Sequence, residues 1–335
     1  MIGAAANGNR VSITGLGSAV PARVVTNDEL AKMVDTSDEW IVARTGIRER
    51  RVATQDEALS DFCLPAARDA LERAGVRAEE LDLVIVATVT PDMSFPATAA
   101  IVADELGASK AGAYDLSAGC TGFVYALAQA YSMLASGVAR RALVVGGDLL
   151  SKIVDWHDRA TCVLFGDGVG AVVLERVDRG GFLGFELGAD GGGGMELYMA
   201  AGGSRKPASA ETIAAGEHFA RMNGREVFKF ATRVLVTSAR ELLDEVGLTV
   251  EDVDLYIPHQ ANIRIINHAA DKLGFPEEKV VVNVDRYGNT SSGSIPLALA
   301  DAVRDGRVHG GDIVLMTGMG AGLTWGSGVM EWTAT

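Results

Sequence analysis

Cysteine and proline are scarce in this chain, with three and eight among 335 residues. The three thiols, Cys63, Cys120 and Cys162, form no CxxC pair and no metal-ligand spacing, so no metal site is expected. An odd, small count fits a reduced, cytoplasmic compartment and leaves at least one thiol free for chemistry. HExxH and GxxxxGK[ST] are both missing, which removes local support for zinc-protease and P-loop chemistry. No run approaches the roughly 18 uninterrupted apolar residues of a spanning helix. Met1 to Arg10 lacks the basic start and apolar run of a signal peptide. Basic residues are also short, 30 against 44 acidic, for a net charge of −14. Nucleic acid and anionic membranes are therefore poor partners, because both are held by dense Lys and Arg.

Apolar residues, by contrast, make up 48% of the chain and charged residues 22%, ordinary for a globular protein with a substantial core. The length is about twice that of a common domain, which favours two domains or one duplicated unit. Val11 to Leu16, Leu83 to Thr88, Ala142 to Gly146 and Ala171 to Leu174 read as strands. Leu59 to Ala74 and Thr121 to Ser136 are Ala-rich and long enough for helices. The alternation predicts a buried sheet covered by helices.

One internal repeat is legible. LERAGVRAEELDL from Leu71 and LDEVGLTVEDVDL from Leu243 lie 172 residues apart, each giving a helix end, a stopping Gly, an acidic turn and a strand. At the same offset LVVG (Leu143 to Gly146) falls on LMTG (Leu315 to Gly318). A period near half the chain predicts two related α/β halves, residues 1–180 and 181–335. The Gly-rich stretch at 188–218 reads as a long loop or cap.

Three residues occupy strand-to-helix junctions. Cys120, in DLSAGCTGF, precedes an apolar helix that ends at Gly137, and helix N–H dipoles at such a position are expected to lower a thiol pKa. A small hydrophobe in a core turn is the competing role, and the one assigned to Cys63 and Cys162. His259 follows the strand Leu255 to Ile257, where Pro258 turns the chain out at the strand's C-terminal edge. A structural imidazole competes there; His157, His218, His268 and His309 read as solvated. Asn289, in YGNTSSGSIP, is expected to follow a strand and to start a helix, as nucleophile partner or as N-cap. A thiol, an imidazole and an amide so placed suggest nucleophilic acyl chemistry.

At this point TSDEWIVARTGIRERR, AGCTGF, FGDG, GREVFKF, PHQANIRI, GNTSSGSIP and GMGAGLTWGSG together resemble the β-ketoacyl-[acyl-carrier-protein] synthase III family, nearly end to end. The resemblance implies a thiolase-like α/β fold of five layers (α-β-α-β-α) made of two βαβαβαββ halves. It implies an acyltransferase that condenses a short acyl-CoA primer with malonyl-acyl-carrier protein and starts fatty-acid synthesis, without a tightly bound cofactor. Cys120 would carry the acyl group, and His259 with Asn289 would serve decarboxylation. Backbone N–H groups of Cys120 and Ala321 would form the oxyanion hole. Trp40, Arg44, Arg159 and Asn262 would hold CoA, although Trp40 could equally be a core aromatic and each arginine a surface ion pair. Lys229, Gln260 and Arg264 would dock the carrier protein, and Phe95 would cross a homodimer interface to close the primer pocket. One departure stands in the docking helix, where Asp271 and Lys272 replace a basic pair.

Three alternatives remain at this stage. A related condensing enzyme of polyketide or other secondary metabolism would share the triad. A dinucleotide-binding oxidoreductase is suggested by Gly15-Leu16-Gly17, with Val20 at the third glycine position and Asp35 as its ribose acid. A non-catalytic scaffold would not need Cys120, His259 and Asn289 together. The charge pattern bears on partners: Arg221 to Arg240 carries +4 and Trp40 to Arg51 carries +3, which leaves −21 elsewhere. Anionic substrates would be drawn to these two islands, and Arg225, Lys229, Arg233 and Arg240 would share one helix face.

Overall fold

The apolar runs become the spine of a five-stranded sheet in a computed structural model, which describes Ile2–Gly3 and residues 10–334. Its order is Gly112–Leu116, Leu83–Ala87, Arg141–Leu149, Asp167–Val177, Arg10–Ala19. The first three strands are parallel, and Asp167–Val177 runs antiparallel to both neighbours. A second five-stranded sheet has the order Leu255–Pro258, Ile313–Gly320, Thr324–Glu331, Gly181–Ala189, Ile2–Gly3. Only its first pair is parallel.

Helices cover both faces of each sheet, so a central strand such as Leu83–Ala87 reads as a continuous apolar run rather than an alternating one. Leu83, Ile85 and Ala87 point into a central core shared with Val314 and Met316 of the other sheet. Val84 and Val86 point the other way, into a core with the Leu59–Ala74 and Thr98–Leu106 helices. Leu315 and Met319 face a third core under Gly224–Val246 and Ile263–Leu273. Between the sheets lie Gly122–Ser136 and Ser294–Arg304. Five layers result, as expected of the thiolase-like fold.

The 172-residue offset has a structural counterpart. Leu59–Ala74 and Gly224–Val246 both end on left-handed glycines, Gly75 (φ 66°) and Gly247 (φ 73°). Each is followed by a 3-10 turn, Ala78–Glu80 or Val250–Asp252, and then a parallel strand. Gly15 and Gly17 lie inside the Arg10–Ala19 strand, not in a phosphate loop. A Cβ on either would stand about 2 Å from the Ala70 or Ala66 carbonyl oxygen, so these glycines serve close strand–helix packing. The oxidoreductase reading falls with them. The stretch at 188–218 is more ordered than a loop: Leu197–Met199 pairs with Ala220–Met222, and Ala210–Ala214 is a short helix.

The expected strand before Asn289 is absent. Val280 makes a single bridge to Tyr256, and Val284–Tyr287 is a short helix. The reason lies in a distant partner: the N–H groups of Asn283 and Val284 donate to the Gln260 side-chain oxygen at 2.9 and 3.2 Å, which withdraws them from any ladder.

Candidate active site

Cys120 sits in the turn between the Gly112–Leu116 strand and the buried Gly122–Ser136 helix. Gly119 before it has φ +58°, and a Cβ there would lie 2.6 Å from the Ala321 backbone nitrogen. A Cβ on Gly320 would lie 2.4 Å from the Cys120 nitrogen. Only glycine permits this mutual approach, which sets the Cys120 and Ala321 turns side by side at the end of the Ile313–Gly320 strand. The Thr324 hydroxyl donates to the Ala118 carbonyl at 2.9 Å and holds the two turns together.

The expectation of a low thiol pKa is overturned. Burial pushes Cys120 up to about 12; the Ser291 hydroxyl works against that and the Asp148 carboxylate adds to it. The helix start is real, but removal of water from the sulfur outweighs it. Cys120 is 7% exposed and Asp148 fully buried. Asp148 accepts hydrogen bonds from Val89 N–H at 2.7 Å and from Ser292 N–H at 3.2 Å.

His259 emerges from the Leu255–Pro258 strand, its N–H bonded to the Thr317 carbonyl at 2.7 Å. Its Nδ1 lies 2.5 Å from the Ser294 hydroxyl oxygen, whereas Nε2 is buried without a hydrogen-bond partner among the described residues. Burial lowers its pKa to about 4, so the ring is neutral at physiological pH. Asn289 is anchored by its own N–H to the Leu164 carbonyl at 2.9 Å. Its side-chain oxygen accepts the Ser291 N–H at 2.8 Å, which leaves the amide N–H2 as the free end. Ser291 holds a left-handed φ of +53°, unusual outside glycine. Such a conformation at a site is maintained by its surroundings.

Cys120, His259 and Asn289 line one cavity of about 270 Å3. Trp40, Arg44, Arg159, Asn262 and Arg264 line it as well. The Arg44 and Arg159 guanidinium carbons lie 5.1 and 4.9 Å from the Trp40 ring centroid, a cation–π stack. A second, apolar cavity of about 210 Å3 shares Cys120 and Phe165 with the first, and is walled by Val89, Leu150, Ile153 and Val154, with Ser291 and Ala321 beside the sulfur. Cys120 therefore stands where a channel with arginines meets a small aliphatic chamber.

Several expected residues fall elsewhere. Gln260 is 1% exposed and cannot dock a partner. Its amide donates to the Pro258 and Val281 carbonyls at 2.8 and 3.0 Å while accepting from Asn283 and Val284, a clamp that fixes the turn carrying His259. Asn262 lines the cavity, yet its side chain caps the Ile263–Leu273 helix and donates to the Arg44 carbonyl at 3.0 Å. Arg264 packs on the Phe228 ring, 5.4 Å from its centroid. Lys229 projects from the exposed face of Gly224–Val246, beside a separate groove that includes Arg233 and Glu226. Phe95 is 84% exposed and lines neither Cys120 cavity of this chain.

Both charge islands shrink. Arg50 is fully buried and donates to the Val25 and Val163 carbonyls and to Asn27; desolvation lowers its pKa to about 10. Arg221 pairs with Asp155 at 3.4 Å. His218 is half-buried against Phe219, not solvated. Sequence reasoning missed Ser291 and Ser294. Both lie in the quoted GNTSSGSIP run, but no spacing rule singles out one serine of three.

Comparison with known proteins places these features in context. Residues 114–191 match the family described as 3-oxoacyl-[acyl-carrier-protein (ACP)] synthase III, and residues 243–332 match its C-terminal part. The chain is 57% identical over 323 residues to the β-ketoacyl-[acyl-carrier-protein] synthase III of Symbiobacterium thermophilum, covering 96% of this chain and 98% of that one. The crystal structure of a β-ketoacyl-[acyl carrier protein] synthase III from Thermus thermophilus superimposes with a TM-score of 0.90 at 52% identity, covering 97% and 100% of the two chains. A priming β-ketosynthase from a polyketide biosynthetic pathway superimposes with a TM-score of 0.91 at 40% identity, covering 97% of each.

Proposed function

This chain belongs to the β-ketoacyl-[acyl-carrier-protein] synthase III family of condensing acyltransferases, and from that premise we propose how its residues carry the reaction. It joins an acyl-CoA primer to malonyl-acyl-carrier protein at the start of fatty-acid synthesis, with both as substrates and no tightly bound cofactor. The observation that carries the residue assignment is the shared cavity of Cys120, His259 and Asn289, entered past Trp40, Arg44 and Arg159.

The Cys120 sulfur attacks the acyl-CoA thioester; CoA leaves with a proton, and the acyl chain rests in the aliphatic chamber. The tetrahedral oxyanion is met by the N–H groups of Cys120 and Ala321, whose turns the glycines bring together. Malonyl-carrier protein then enters the emptied channel, in a ping-pong order. Decarboxylation gives an enolate whose oxygen accepts from His259 Nε2 and the Asn289 amide. The neutral imidazole suits this task, because it donates without titrating near pH 7. The carbanion attacks the acyl-Cys120 carbonyl and releases the product.

Anionic CoA is held by the Trp40 stack with Arg44 and Arg159, whose planes suit adenine and phosphate. The carrier protein docks on Arg264 and the exposed Lys229 face. Residues 1–180 and 181–335 are the two halves of the duplication, supported by the matched helix–turn–strand units. The Gly112–Leu116 strand is an open sheet edge with exposed Phe95 nearby in sequence. Both support a homodimer in which Phe95 reaches the partner's primer chamber. No helix among the described residues is long and apolar enough to cross a membrane; a cytoplasmic setting fits the three free thiols. Incubation with radiolabelled acetyl-CoA should label the wild type and leave Cys120→Ser unlabelled. Equal labelling would remove Cys120 as the nucleophile.

A further inference from the structure

We propose that Ser294 sets the tautomer of His259, holding the ring proton on Nε2 where it faces the reaction cavity. Ser294 is thus a positioning residue, and its effect on catalysis rests on the role given to His259 above.

Proton counting carries the argument. The Ser294 oxygen receives a hydrogen bond from the Gln260 N–H at 3.2 Å and lies 2.5 Å from His259 Nδ1. Gln260 N–H can only donate, so it occupies one lone pair of the hydroxyl. One proton then remains on Ser294, and Nδ1 is its sole acceptor among the described residues. If Nδ1 were the protonated nitrogen, Ser294 would accept twice and its own proton would be stranded. Ser294 is 1% exposed, as is His259, so a stranded hydroxyl proton would find no water, at the cost of a buried unmade bond. The other tautomer gives the Ser294 proton an acceptor and leaves a single unpartnered group, the Nε2 N–H, where the first leaves two, the Ser294 O–H and the Nε2 lone pair. It places N–H on Nε2, the ring atom that has no partner among the described residues, in a side chain that lines the reaction cavity.

The surroundings hold this arrangement in place. Ser294 opens the buried Ser294–Arg304 helix, so its backbone is fixed by that helix. Gln260 is fixed by the four side-chain bonds of its clamp, so the N–H that reaches Ser294 cannot swing away. A donor fixed in advance needs no reorganisation when the enolate forms, which is the condition for electrostatic catalysis. The same arrangement stops His259 Nε2 from accepting the Cys120 proton, so the imidazole is a donor to the second half-reaction and not a base for the first.

The test uses the full-length enzyme with 15N-labelled histidine. Long-range 1H–15N spectra report the tautomer of each ring, and the His259 signals are those lost in His259→Ala. The Nε2–H form is expected in the wild type. Ser294→Ala should shift His259 toward a mixture of forms, and Ser294→Thr, which keeps the hydroxyl, should restore Nε2–H. Malonyl-carrier-protein decarboxylation should fall in kcat by roughly 10- to 100-fold in Ser294→Ala, as for other imidazoles that lose an orienting partner. Acylation of Cys120 by acetyl-CoA should be unchanged in that variant. A wild-type Nδ1–H form, or a Ser294→Ala spectrum identical to wild type, would overturn the proposal. A changed tautomer with unchanged decarboxylation would support Ser294 as the tautomer setter and would remove His259 from that step.

Discussion

A reactive thiol at a helix start is expected to be acidic, yet the buried sulfur of Cys120 is pushed the other way, to about 12 from an ordinary 9.0. That displacement lowers the thiolate fraction at pH 7 about a thousand-fold, or ~4 kcal/mol. A more basic thiolate is also a better nucleophile, with a Brønsted slope of about 0.4–0.5, which returns roughly 15- to 30-fold. Alkylation of free Cys120 by iodoacetamide at pH 7 should then run about 30- to 60-fold slower than that of an unstructured cysteine peptide. Site-resolved mass spectrometry separates Cys120 from Cys63 and Cys162. Between pH 6 and pH 10 the logarithm of the Cys120 rate should rise with a slope of about 1 and show no plateau. An inflection between pH 6 and pH 9 would mean that the helix dipole outweighs desolvation, and the burial argument would fail.

Four further outcomes follow from the same geometry. His259 has a folded pKa of about 4 against an ordinary 6.5, so its stabilising effect is complete above pH 6.5 and is lost as pH falls toward 4. Urea titrations should show wild type losing about 2 kcal/mol more than His259→Gln between pH 7 and pH 5. Gly119→Ala must place a Cβ at left-handed φ and 2.6 Å from the Ala321 nitrogen; the rate of CoA release on acylation should drop by about 100-fold or more, as for loss of one oxyanion donor. Gln260→Ala unpairs two buried N–H and two buried C=O groups; chemical denaturation should show a loss of about 3–5 kcal/mol. Lys229→Glu should raise the KM for malonyl-carrier protein by about 3- to 10-fold at low salt, less at high salt, and leave the KM for acyl-CoA unchanged.

Local signals were legible where local physics decides. Leu59–Ala74 is bounded as expected because an apolar stripe and a left-handed Gly75 define it. Buried strands such as Leu83–Ala87 announce themselves by unbroken apolar runs. The repeat disclosed the doubling because both copies retain the same helix stop and turn. What escaped depends on distant partners. The segment before Asn289 looks like a strand, but its Asn283 and Val284 amides are claimed by Gln260, more than twenty residues away in sequence. Arg50 looks like surface charge, and only Val25, Asn27 and Val163 together make a buried place for it. Cys120 followed a helix-start rule that takes no account of solvent removed by the rest of the fold. Ser294 looked like one small residue among several, because its partner His259 arrives from the end of a strand 35 residues away in sequence.

The closeness of the Gly119 and Gly320 turns has a consequence for synthesis. Two of the groups around the Cys120 sulfur, Ser291 and Ala321, follow it along the chain by roughly 170 and 200 residues. At translation speeds of about 5–20 residues per second, roughly 200 residues separate Cys120 from Ala321, a lag of about 10–40 s. Over that interval the thiol lacks the Ser291 and Ala321 part of its cover. Until Ser291 and Ala321 are made, the nascent chain carries a cysteine with only part of its cover, and their arrival closes the chamber around it.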